Sequence, residues 1–192
     1  TAILMEASCE ESSTVAIGSG EAEGLEVTIQ PKLGSTLKLE LMLIRHRMGS
    51  LTLSNLVLAP APHGCSFFII DSCRIETLTL RSCSFSGVSF LMTNSTADNI
   101  VVTDVVLRNR SSLTFCSNTL ITPHSLVASR ILIQSSIIGD GSFIVVRNNT
   151  MVSSFSGSGC GGRVFPSISF ASVNVSSSSA VEVVGNTITP KT

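Results

Sequence analysis

Leu113–Leu120 (LTFCSNTL), Ile144–Met151 (IVVRNNTM) and Val181–Ile188 (VEVVGNTI) share one pattern: alternating apolar residues, a polar turn ending in Asn-Thr, then another apolar residue. Each follows a partner that starts thirteen residues earlier: Ile100–Leu107 (IVVTDVVL), Ile131–Ile138 (ILIQSSII) and Ile168–Val175 (ISFASVNV). Short strands at fixed spacing, separated by small polar turns, mark stacked β-coils in which each repeat buries its apolar face against its neighbours. The expected fold class is all-β, a β-solenoid.

The pairs recur after 31 residues (Ile100 to Ile131) and then 37 (Ile131 to Ile168). The six extra residues fall in Ser153–Arg163 (SSFSGSGCGGR), which reads as a loop bulging from one side of a coil. Looser units begin at Leu37, Leu51, Phe68 and Leu78. The repeat region therefore spans 25–192, and 1–24, with its acidic EASCEESS and GSGEAEG stretches, reads as a lead-in or cap.

By the two-residue period of a strand, the first and third residues of each unit point inward. Val146 is then a core residue and its neighbour Arg147 faces solvent. Asn118, Asn149 and Asn186 share the turn position, where asparagine tolerates the left-handed conformation and bonds to backbone. Two arrangements fit: a ladder of amides pairing from coil to coil, or simple surface turn residues.

Hydrophobic residues make up 43% of the chain and charged residues 13%, with no Trp or Tyr and no convincing amphipathic helix. A net charge of −1 argues against nucleic acid as a partner; the densest basic cluster, Arg45, His46 and Arg47, reads as a solvated turn. No apolar run is long enough to cross a bilayer and the N-terminus lacks signal-peptide zones, so any signal or anchor is expected outside this segment. Six cysteines (Cys9, Cys65, Cys73, Cys83, Cys116, Cys160) form no CxxC pair, which leaves no zinc site of ordinary spacing. Cys73 (DSCRI) and Cys83 (RSCSF) occupy the same place in consecutive units, so they are expected on adjacent coils, as a disulfide or as two buried thiols. Sequons at Asn94, Asn109, Asn148 and Asn174 favour a surface or secreted protein. Asn94 and Asn109 lie between units; Asn148 and Asn174 lie inside them.

Solenoids of this kind also house polysaccharide-cleaving enzymes, which need carboxylates converging on one groove. Asp71, Asp98, Asp104 and Asp140 each stand alone, Glu182 is second in its unit, and no DD, NTD or GHG segment occurs. His46, His63 and His124 are isolated. Gly157–Gly162 (GSGCGG) lacks the Lys-[ST] of a phosphate loop. The expectation is a protein without catalytic residues, cofactor or metal.

SSLTFCSNTLITP, GSFIVVRNNTMVSS and SAVEVVGNTITP, each a Ser-led strand with an Asn-Thr-apolar turn, resemble the very large surface proteins of the trypanosomal dispersed gene family, over roughly Leu37 to Thr189. The resemblance implies a right-handed parallel β-helix of the pectin-lyase-like type, present as an incomplete array, in a glycosylated, adhesive cell-surface protein. It implies a host extracellular matrix protein or carbohydrate as partner, and it carries over no catalytic residue. This chain then corresponds to a small piece of such a protein, without the C-terminal membrane segments. The alternatives are a carbohydrate-active β-helix enzyme and a bacterial-type β-helical passenger domain.

Overall fold

A computed structural model describes residues 2–7, 9–14, 26–31, 37–44, 47–58, 67–122, 128–153 and 166–189. All regular structure among them is β-strand. In chain order the strands are β1 (Ala2–Ala7), β2 (Cys9–Thr14), β3 (Glu26–Pro31), β4 (Leu37–Ile44), β5 (Arg47–Ser54), β6 (Val57–Leu58), β7 (Phe67–Asp71) and β8 (Arg74–Arg81). There follow β9 (Ser84–Ser86), β10 (Ser89–Thr93), β11 (Thr96–Thr103), β12 (Val106–Arg108), β13 (Ser112–Cys116), β14 (Thr119–Thr122) and β15 (Arg130–Gln134). The last are β16 (Ile137–Ile138), β17 (Phe143–Arg147), β18 (Thr150–Ser153), β19 (Ser167–Ala171), β20 (Asn174–Val175), β21 (Ala180–Val184) and β22 (Thr187–Thr189).

These strands form three parallel sheets. A long sheet runs β1-β3-β5-β8-β11 and then divides into β14-β18-β22 and β15-β19; a middle sheet runs β2-β4-β7-β10-β13-β17-β21; a narrow sheet runs β6-β9-β12-β16-β20. From β5 onward the chain visits long, narrow and middle sheets in turn, so each circuit stacks on the one before, an arrangement consistent with a β-solenoid. Successive circuits take 22, 23, 31 and 37 residues, measured from Cys73 to Ser95, Asn118, Asn149 and Asn186.

The thirteen-residue spacing thus links two faces of one coil rather than two coils. Leu51, Leu78, Ile100, Ile131 and Ile168 are aligned in the long sheet. Phe68, Phe90, Leu113, Ile144 and Val181 are aligned in the middle sheet. β1 pairs with β3 and β2 with β4, so residues 2–7 and 9–14, which lack the repeat pattern, add a strand to the long and middle sheets.

The long sheet has one irregular phase. Its register passes from Met48, Ile75 and Ala97 to Ser50, Thr77 and Asn99, leaving Gly49, Glu76 and Asp98 out of the ladder. In β8 and β11 two non-buried residues follow one another there, Glu76–Thr77 and Asp98–Asn99. In the next coil Leu120 still aligns with Ala97 and Arg130 with Asn99, so the added length of that coil falls at this phase, between β14 and β15. The second insertion falls between β18 and β19 and contains the Ser153–Arg163 segment, which beyond Ser153 lies outside the described residues. At this phase the register is already interrupted, so added length there disturbs the ladder least.

Between the sheets the core is continuous. Phe68 and Phe90 stack with centroids 6.2 Å apart, Phe115 follows 6.0 Å from Phe90, and Phe85 from the narrow sheet meets Phe68 and Phe90 edge-on at 6.4 Å. All four rings are fully buried, and burying each stabilises by ~2–3 kcal/mol. In the last coil the inward positions lack a covering layer: Val183 is 49% exposed and Ile188 46%, against 0% for their predecessors Val146 and Met151.

Val146 is fully buried and Arg147 exposed. Val146→Asp therefore buries an unpaired carboxylate and is expected to lower unfolding free energy by ~3 kcal/mol or more, and Arg147→Asp by under ~0.5 kcal/mol. Urea denaturation of the two variants, followed by circular dichroism, measures the difference.

Candidate functional site

Three corners join the sheets, and the first is built in five successive coils by a pair of small residues. At the first corner, from middle to long sheet, the pairs are Ser72-Cys73, Asn94-Ser95, Ser117-Asn118, Asn148-Asn149 and Gly185-Asn186. The leading residue is left-handed in all five, with φ between 49° and 63°. All five face solvent, and the N–H of Ser72, Ser117 and Asn148 bonds to the following coil, at 3.2 Å to Thr93 O, 3.1 Å to Arg147 O and 3.0 Å to Val184 O. Serine, asparagine and aspartate tolerate this conformation because their short polar side chains bond locally. The second corner repeats the device with Asn55, Ser82, Asp104, Ser135 and Ser172.

The trailing residue points inward, and at the first corner it forms a column of polar side chains. Ser95 Oγ accepts from the Cys73 N–H (3.1 Å), Asn118 Oδ1 from the Ser95 N–H (3.0 Å), Asn149 Oδ1 from the Asn118 N–H (3.0 Å) and Asn186 Oδ1 from the Asn149 N–H (3.0 Å). The amides also pair directly: Asn118 Nδ2 donates to Asn149 Oδ1 at 3.1 Å and Asn149 Nδ2 to Asn186 Oδ1 at 2.9 Å. With a further bond from Nδ2 to Phe115 O at 3.0 Å, buried Asn149 uses both donors and both acceptor positions of its amide. Asn186 turns its Nδ2 onto Val146 O (2.8 Å) and Val184 O (3.2 Å). Serines do the same elsewhere: Ser136 Oγ accepts from Val105 N–H (3.3 Å), Ser111 Oγ from Val88 N–H (3.2 Å) and Ser142 Oγ from Ser111 N–H (3.0 Å).

The cysteines require a correction. Cys73 and Cys83 flank opposite ends of β8, at the first and second corners of one coil, and both are buried. Eight strand residues separate them by ~26 Å, far beyond disulfide reach. The likeness of DSCRI to RSCSF reflects two corners of one coil, not one corner of two coils. Burial pushes the Cys83 thiol up from 9.0 to about 11, only partly opposed by main-chain contacts with Leu56 and Arg81.

The sequon asparagines are all exposed. Asn94 and Asn148 occupy the same first-corner position, two coils apart; Asn109 sits in the turn from narrow to middle sheet and Asn174 in β20. Asn94 Nδ2 bonds Asp71 Oδ1 at 3.0 Å and Asn109 Nδ2 bonds Ser86 Oγ at 2.6 Å.

Asp104 and Asp140 lie in left-handed turn positions, and Asp71 and exposed Glu182 on the middle sheet. Asp98 does not stand alone: it lies within β11 at the phase that Glu76 holds in β8. Sequence reasoning missed this pair because the unit boundary was drawn at Ile100. Arg47 stands in register with Arg74, while Arg45, His46, His63, His124, Cys65, Cys160 and Gly157–Gly162 lie outside the described residues, as does the side chain of Cys9. Among the described residues no group of three or more His, Cys, Asp or Glu could hold a metal, and no helix is long and apolar enough to cross a membrane.

No family model matches this chain, and no curated protein or solved structure matches it either.

Asn149→Ala leaves the Asn118 N–H, Phe115 O and two neighbouring amides short of a partner, and is expected to cost ~3 kcal/mol; Ser142→Ala, which strands one N–H, is expected to cost ~1–2 kcal/mol. Chemical denaturation of both variants checks the ratio. A thiol whose folded pKa is raised favours the folded state while protonated. That contribution is complete below pH 9.0, fades between pH 9.0 and about 11, and amounts to ~2–3 kcal/mol. The pH-dependent loss across this window is expected to shrink in Cys83→Ala, measured by urea midpoint against pH.

Proposed function

We propose that the chain is a right-handed parallel β-helix acting as a non-enzymatic, adhesin-like module of a cell-surface or secreted protein, contacting host extracellular matrix protein or carbohydrate. The observation that carries this reading is the outward alignment of hydroxyl groups from coil to coil. Thr96, Thr119, Thr150 and Thr187 stand in one column beside the first corner, and Thr28, Thr52 and Thr79 in another on the long sheet. Coils ~4.8 Å apart repeat such a surface with fixed pitch, and repetition converts weak polar contacts into avidity. The exposed sequons and the resemblance of the strand-turn segments to the trypanosomal surface family support the same reading.

Glu76 and Asp98 favour a second reading, the carbohydrate-active enzyme. They share one phase on adjacent coils, whose backbones stack ~4.8 Å apart, a spacing compatible with the ~5 Å between the carboxyl groups of a retaining glycosidase pair. At that phase Gly49 precedes and Ile121 follows, so the acidic column is two residues long.

On passage through a secretory pathway, Asn94 and Asn109 are expected to carry N-glycans, and the exposure of Asn148 and Asn174 extends this to all four. Peptide mapping with and without glycosidase reads the mass change, and a secreted chain unmodified at all four sites counts against a surface glycoprotein. The purified chain is expected to bind immobilised matrix proteins or glycans and to release no reducing ends from pectin or polygalacturonate. Release abolished by Glu76→Gln or Asp98→Asn would establish the enzyme instead.

A further inference from the structure

We draw no further inference here: the strongest candidate, the open apolar end of the last coil formed by Phe170, Val175, Val183 and Ile188, is an unpartnered face on which nothing in the structure shows what covers it.

Discussion

The stack depends on how a corner disposes of the N–H it turns inward. Along the strands N–H and C=O groups pair with neighbouring coils, but at a corner the inward residue leaves the ladder and aims its N–H where water cannot follow. An unsatisfied donor there costs ~1–3 kcal/mol. Seven times the remedy is a side-chain oxygen from the next coil, reaching the N–H of Cys73, Ser95, Asn118, Asn149, Val105, Val88 or Ser111. Only a short polar side chain can deliver it without prying the coils apart, so the trailing corner residue is so often serine or asparagine.

Asparagine adds what serine cannot. Its Nδ2 gives the column a second row of bonds running parallel to the main-chain captures, from Asn118 through Asn149 to Asn186. The column also crosses a change of coil length, from 23 to 31 and then 37 residues per circuit, without losing register. The corner thus holds alignment where the long sheet is interrupted by its insertions.

Much of this was legible because strand parity and turn chemistry are local. The inward alternation of Ile144 and Val146, and the equivalence of Asn118, Asn149 and Asn186, follow from residues adjacent in sequence. The coil itself was not legible, since a circuit closes through the narrow sheet, whose strands of two or three residues such as Ile137–Ile138 carry no periodicity of their own. That omission made two faces of a coil look like successive coils and placed Cys73 over Cys83. Phe90, in register between Phe68 and Leu113, was overlooked because FLMT is followed by Asn94-Ser95 rather than by the Asn-Thr pair that marked the three clearest units. The serine captures at Ser111, Ser136 and Ser142 were hidden by abundance: in a chain so rich in serine, nothing local separates a buried Oγ from an exposed one.

The captures all run one way, each N–H reaching an oxygen that belongs to the coil later in the chain. Order of synthesis therefore runs against order of completion. A coil emerging from the ribosome has strands to pair with its predecessor but not the oxygen that satisfies its own corner; that oxygen is ~20–40 residues away, or ~2–4 seconds at ~10 residues per second. The newest coil of the growing chain is always the unfinished one, and each addition settles the coil beneath it.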